Sequence, residues 1–214
     1  QAPVGPLRFR SPKPYVAAGS TLIQADTFGP AALQTYPPYV TWIYPLPDKQ
    51  DESCLTLIVW TPARARHAPV LVWLHGGAWR TGATSMPLMD GQALAGQGLV
   101  VVTVNYRLGS TGFLSHPAFT DPDSGLAGNW CLQDQAAALA WVRDNIEAFG
   151  GDPASVCVIG QSAGATNAAL LAQHPEWSRL LHKAVLLSPA GIAAPLGFSR
   201  SEERRVGKEC RSRW

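Results

Sequence analysis

Gly160-Gln161-Ser162-Ala163-Gly164 places a serine between glycines two residues away on either side. Ser155-Val156-Cys157-Val158-Ile159 before it reads as a short buried strand, and 165–171 after it reads as a helix. A serine at a sharp strand-to-helix turn is the nucleophile-elbow pattern. The chemistry explains the spacing. A strained backbone lifts the hydroxyl clear of the sheet, and a side chain larger than glycine at the flanks would meet the neighbouring strand and helix. The free N–H groups of the following helix favour negative charge at that spot. A second motif, His75-Gly76-Gly77-Ala78-Trp79, closes the strand-like run Val70–Leu74. Backbone N–H groups can hold a developing oxyanion only where small residues allow close approach. In elbow hydrolases one donor follows the serine, and another comes from an HGGG-type loop after an earlier strand. A glycine-rich turn alone would satisfy either motif. The two together, in this order and each after a strand, point to acyl hydrolysis.

These motifs need elements to hold them. Four apolar β-rich runs stand out, Leu55–Trp60, Val70–His75, Leu99–Tyr106 and Val156–Gly160, with Lys183–Ser188 as a fifth. Uninterrupted apolar runs suit strands covered on both faces. Leu132, Ala136, Leu139, Val142, Ile146 and Phe149 follow helical spacing, and Gly150-Gly151-Asp152-Pro153 ends that helix. Strands alternating with helices predict an α/β fold with a mostly parallel sheet. The stretch 1–50 is proline-rich and aperiodic, and is expected to be irregular with small antiparallel strands.

The composition, 46% hydrophobic and 15% charged over 214 residues, fits one globular domain with a substantial core and no membrane span. The chain starts at Gln1, and its first methionine is Met86, so the natural N-terminus is expected to be missing. The last fifteen residues depart abruptly from this balance, since Arg200–Trp214 carries six basic and three acidic residues. AGA-TCG-GAA-GAG-C, the start of a common sequencing adapter, encodes Arg-Ser-Glu-Glu and opens an arginine codon. Residues 200–214 are therefore expected to be translated adapter, leaving 1–199 as native catalytic-domain sequence. Without that tail 11 basic residues face 12 acidic ones, so the formal charge of +2 does not indicate a nucleic-acid partner. Cys54, Cys131 and Cys157 have no metal-ligand spacing, and no phosphate loop is present, so neither metal nor cofactor is expected.

Ordered motifs carry a resemblance to the type-B carboxylesterase family, which includes cholinesterases and bacterial para-nitrobenzyl esterases. Ala2–Phe9 looks like its N-terminal motif, and Glu52–Leu57 is similar to its E-D-C-L signature. Asn105–Gly109, Gly112–Leu114, Gly128-Asn129, Asp134-Gln135 and Phe149–Pro153 follow in family order. The resemblance implies an α/β-hydrolase fold with helices on both faces of the sheet, truncated before the last strands and cap. It implies that Ser162 attacks an ester carbonyl while the N–H groups of Gly77, Ala78 and Ala163 hold the oxyanion. Arg8 with Glu52, and Arg107 with Asp134, would be structural ion pairs. Gln161 stands where the family has Glu, Ser53 where it has Asp, and Ala78 replaces the third glycine of the loop. Ala32 stands where disulfide-bearing members have the partner of Cys54, which implies a free buried thiol and favours a cytoplasmic location.

A serine nucleophile needs a base and an orienting acid, in the chain order Ser, Asp or Glu, His. After Ser162 the only histidines are His174, near the far end of the elbow helix, and His182, just before a strand. Both read as packing or surface residues. The resemblance places acid and base beyond Ser199, so the parent protein is expected to be a serine esterase acting on a small-molecule ester. The 214-residue chain itself is expected to be inactive, with an open sheet edge and uncovered apolar surface. Trp79 and Arg80 are candidates for the substrate entrance, Trp79 equally for the core. A non-catalytic cholinesterase-like binding protein, or an amidase or carbamate hydrolase using the same site, are the alternative readings.

Overall fold

The computed structural model describes residues 1–15, 24–35, 45, 47–122 and 125–190. The segment 200–214 assigned to an adapter lies outside the described residues. Five strands form one sheet: β1 (Leu57–Trp60), β2 (Ala68–Leu74), β3 (Val100–Val104), β4 (Gly151–Gln161) and β5 (Lys183–Leu187). Their spatial order is β1-β3-β2-β4-β5. β1 pairs antiparallel with β3, and every other pairing is parallel. Four α-helices lie between the strands: α1 (Gln92–Ala95), α2 (Gly109–Phe113), α3 (Trp130–Asn145) and α4 (Ala163–Gln173).

The order contains a reversal. β3 follows β2 in sequence and lies on one side of it, whereas β4 lies on the other side. Open α/β sheets bind ligands in the crevice beyond the carboxyl ends of strands at such a switch point. The register Leu74↔Gly160 aligns the ends of β2 and β4. His75, the first residue past β2, and Gln161, the last of β4, are therefore neighbours at the end of the sheet, and the two glycine-rich motifs emerge together.

Period-two alternation divides the sheet into two faces. Val70, Val72, Leu74, Val100, Val102, Val104, Val156 and Val158 share one face with Ala136, Leu139, Val142 and Ile146 of the α3 region and Ala168 and Leu171 of α4. On the other face Trp73 packs with Ala83, Met86 and Met89, and its indole N–H donates to Met89 Sδ at 3.0 Å. Gly91 lies against Trp60 and Val101 just before α1. Fully apolar strands had implied cover on both faces. That holds for β3, buried throughout, but β1 is half-buried and every residue of β5 is exposed. The difference is positional, since β1 and β5 are the edges of the described sheet.

Two local expectations are corrected. Helix α3 ends at Asn145 and tightens into a 3₁₀ turn, Ile146–Phe149, so Phe149 leaves the buried stripe and is exposed. Gly150, at φ 80°, then turns the chain into β4. Within 1–50 the described residues contain a 3₁₀ turn at Gly5–Leu7 and an isolated bridge, Ala31↔Gln50, that is parallel rather than antiparallel, while 16–23, 36–44 and 46, on which the expectation of small antiparallel strands also rests, lie outside the described residues. Proline there removes the donors a regular ladder would need.

The two ion pairs differ sharply in setting. Arg107 Nε and Nη2 donate to Asp134 Oδ2 and Oδ1 at 2.8 and 2.6 Å, and the Arg107 backbone N–H donates to Oδ2 at 3.1 Å. Its Nη1 donates to the Arg10 carbonyl at 2.9 Å, and its guanidinium lies 5.9 Å from the Trp130 ring centroid. The side chains are 3% and 0% exposed. Arg8 also pairs with Glu52, but with side-chain exposures of 49% and 22%. Arg107→Ala strands a buried carboxylate and is expected to cost about 3–5 kcal/mol in urea unfolding. Arg8→Ala is expected to cost less than about 1 kcal/mol in the same measurement.

Candidate active site

Ser162 occupies the turn between β4 and α4 at φ 53°, ψ −120°. Holding a non-glycine residue in so sparsely populated a region costs about 1–3 kcal/mol. The surroundings hold it there: the Ser162 N–H donates to the Leu187 carbonyl of β5 at 2.8 Å, and its carbonyl accepts from Ala165 and Thr166 N–H at 3.0 and 3.1 Å. The glycines on either side are steric necessities. A Cβ on Gly160 would run into the backbone of Gly164 and Ala165, and one on Gly164 into the carbonyls of Leu74 and His75, all inside 3.0 Å. Helix α4 thus folds back over β4 and meets the end of β2.

The loop after β2 lies against this elbow. A Cβ on Gly76 would meet Gln161 Oε1 and carbonyl, with Ser162 Cβ 3.2 Å away. Gly77, Ala78 and Trp79 are all left-handed, at φ 112°, 53° and 57°. The Gly77 carbonyl accepts from Arg80 N–H, Thr81 N–H and Thr81 Oγ1 at 3.0, 3.1 and 3.0 Å, closing a tight turn. The N–H groups of Gly77, Ala78 and Ala163 donate to no described residue, and Ser162 Oγ likewise has no described hydrogen-bond partner. The elbow thus sets a half-buried serine against a loop in which the Gly77 and Ala78 N–H groups have no partner among the described residues.

His75, the first residue of the loop, is buried. Its ring stacks on Tyr106 at 4.2 Å with 10° between planes. Nδ1 lies 2.8 Å from the Gly76 carbonyl, which can only accept, so Nδ1 carries the proton. The Tyr106 hydroxyl donates to the His75 carbonyl. Burial lowers the His75 pKa to about 4, a change the hydrogen bond to Gly76 only partly opposes. His75 is therefore a neutral prop. His174 stacks on Trp177 at 3.8 Å, and His182 Nδ1 accepts from the Val156 N–H at 3.1 Å. His174 packs on Trp177, whereas His182 is exposed and braces the β4 backbone at Val156.

Trp79 leans toward the core rather than an entrance. Its indole donates to Asn167 Oδ1 at 2.8 Å and it packs against the cluster of Ala32, Cys54, Tyr106, Leu108 and Cys131. Arg80 is exposed beside it. Burial pushes the Cys54 thiol up to about 12 and raises Cys131 well above its ordinary value, so both stay protonated. Among the described residues no group of three or more His, Cys, Asp or Glu could hold a metal ion, and no helix is long and apolar enough to cross a membrane.

Some residues holding the site carried no sequence signal of their own. Gln34, buried, accepts from Gly82 N–H at 2.8 Å and donates to the Gly82 and Ala32 carbonyls at 3.0 and 2.9 Å. Asn105, by contrast, lies in the Asn105–Gly109 motif, and it accepts from Thr84 N–H at 2.9 Å. Asn167 looks like any polar residue of a helix. Only the excess of buried amides, invisible without coordinates, marks Gln34 and Asn167.

Comparison with known proteins agrees with this geometry. The model of the carboxylesterase family matches residues 1–210. The fumonisin B1 esterase of Sphingopyxis macrogoltabida is 45% identical over 156 residues, covering 71% of this chain and 29% of that protein. The para-nitrobenzyl esterase of Bacillus subtilis is 44% identical over 190 residues, covering 88% and 38%. A solved PNB esterase structure superposes with a TM-score of 0.78 at 42% identity, covering 87% of this chain and 38% of that one. The chain therefore spans about a third of the length of these relatives.

The neutral His75 makes stability depend on acid. Its folded pKa lies below that of the unfolded chain, so the unfolded state takes up the proton first and stability falls as pH drops from about 6.5 through 4. The loss in this window is on the order of 3 kcal/mol. His75→Phe, which keeps a ring against Tyr106, is expected to lack that part of the slope in melting profiles across the window.

Proposed function

The chain belongs to the carboxylesterase family, and on that premise we propose that the whole protein is a carboxylic-ester hydrolase with Ser162 as its nucleophile. One observation carries the reading: Ser162, in strained backbone, lies beside a loop whose Gly77 and Ala78 N–H groups donate to no described residue. Ser162 Oγ attacks the carbonyl carbon of a small-molecule ester while a base takes its proton. The N–H groups of Gly77, Ala78 and Ala163 receive the charge that collects on the carbonyl oxygen. Collapse of the tetrahedral intermediate breaks the C–O bond, and the protonated base returns its proton to the leaving alcohol. Water, deprotonated by the same base, then releases the acid from the acyl-serine.

The base is not among the described histidines placed near this site: His75 is tied to Gly76 and Tyr106, His174 packs on Trp177, and His182 braces the β4 backbone at Val156. The reading therefore assigns base and orienting acid to residues outside those described. A binding protein without catalysis would have no use for the strain stored at Ser162, which disfavours that alternative.

A fluorophosphonate is expected to label the full-length protein at Ser162, and Ser162→Ala to abolish both labelling and ester turnover, the latter by about 10⁴-fold or more. Peptide mapping of the adduct locates the site, and labelling at another residue, or none, defeats the proposal. The 214-residue chain alone is expected to turn over no ester.

A further inference from the structure

Ala78 and Trp79 are consecutive non-glycine residues in the left-handed region. Such residues hold that conformation only where their surroundings over-determine it. Ala78 is exposed and has only a methyl side chain, which leaves the task to Trp79. Beyond its packing against the Ala32–Cys131 cluster, three specific contacts fix Trp79. Its carbonyl accepts from the Gly109 N–H at 2.7 Å, its ring meets Phe113 edge-on at 6.2 Å, and its indole N–H donates to Asn167 Oδ1 at 2.8 Å. The first two tie the loop to α2. Only the third ties it to α4, the helix that begins directly after the nucleophile.

Asn167 is suited to this. It is 1% exposed and lies on α4 five residues beyond Ser162. An indole N–H can only donate, so the amide must turn its oxygen toward Trp79. The amide nitrogen then faces Cys131 Sγ at 3.8 Å, and that sulfur also accepts from Gln135 Nε2 at 3.2 Å. The buried chain Trp79–Asn167–Cys131–Gln135 is neutral throughout, with one direction of donation forced at its start. We infer that Asn167 is a positioning residue: through Trp79 it holds the Gly77 and Ala78 donors in register with Ser162 and the Ala163 donor. The inference rests on the esterase reading given above. It adds that the two halves of the oxyanion site are joined by a side-chain bond as well as by the sheet.

The effect belongs to the transition state. The oxyanion occupies the donors only as the carbonyl becomes tetrahedral, so a loosened loop lowers kcat and leaves ground-state binding nearly unchanged. The test uses the full-length protein, a p-nitrophenyl ester, and fluorophosphonate titration to count competent sites. Asn167→Leu and Trp79→Phe are each expected to lower kcat per titrated site about 10- to 100-fold, with KM changed by less than about 2-fold. The double variant is expected to lose no more than the worse single, because both changes remove one bond. A folded single variant with kcat per site within about 2-fold of wild type overturns the inference, whatever its melting temperature. So does a double variant whose losses multiply. If Asn167→Leu does not fold, Trp79→Phe carries the same test. Wild-type protein that fails to label at Ser162 instead defeats the esterase reading, so the two failures are distinguishable.

Discussion

Everything at this site depends on how closely α4 approaches the end of β2. Gly164 lies against the carbonyls of Leu74 and His75, Gly160 lies under Gly164, and Gly76 lies against Gln161 and Ser162. No side chain fits at any of the three contacts. The glycines come from two motifs more than eighty residues apart in sequence, yet they form one interlocking surface. The sheet supplies the coarse alignment through the Leu74↔Gly160 register. The missing side chains allow the fine one, letting backbone donors approach a hydroxyl more closely than packed Cβ atoms would permit. A methyl at Gly164 would push the helix off the strand end and carry Ala163 with it.

The tripeptide Asn105-Tyr106-Arg107 shows how the loop behind the site is braced. Three consecutive residues leaving β3 reach in different directions. Asn105 accepts from Thr84 and donates to Thr56 Oγ1 at 3.1 Å, Tyr106 stacks on His75, and Arg107 pairs with Asp134 on α3. The buried ion pair therefore has a positional role. Removing two charges from water is costly, and such a pair is weak evidence for stability in itself. Here it fixes the strand end from which Tyr106 supports the loop, and it spans β3 to α3 where apolar packing alone would leave the sliding direction undefined.

The sequence made the fold legible wherever one signal sufficed. Apolar runs marked four of the five described strands to within two residues, but β4 begins at Gly151, five residues before the Val156 start and inside the stretch read as the helix stop. The elbow and loop motifs were legible because close backbone approach admits almost nothing but glycine. The exposure of β5 was not legible: Lys183–Leu187 has the composition of a covered strand, and what covers a strand is a property of the other elements. Helix α3 was half legible. Its stripe gave Ala136, Leu139, Val142 and Ile146, but the face carrying Gln133, Asp134 and Gln135 is buried as well. The resemblance marked Asp134 as the partner of Arg107, but the burial of Gln133 and Gln135 depends on hydrogen-bond partners that no local pattern names. Asn167 and Gln34 escaped for the same reason. A buried amide is satisfied by groups distant in sequence, so nothing local announces it.

The site's charge pattern follows from these choices. His75 is neutral, Gln161 carries no charge beside the serine, and the thiols of Cys54 and Cys131 are held protonated. Apart from Arg80, exposed past the loop, the described residues of the elbow and the loop present dipoles rather than ions. A fixed cation would attract anionic ligands as strongly as a transition state, and a fixed anion would oppose the oxyanion. On the proposed esterase reading, backbone N–H groups and the start of α4 would do neither: they would act on charge that appears at one point and only during reaction. That economy has a structural cost. Dipoles lose effect steeply with misplacement, so a site built from them needs its donors held more exactly than a site built on a cation. The strained serine, the left-handed loop and the buried amides around them are, in this protein, the means of holding them.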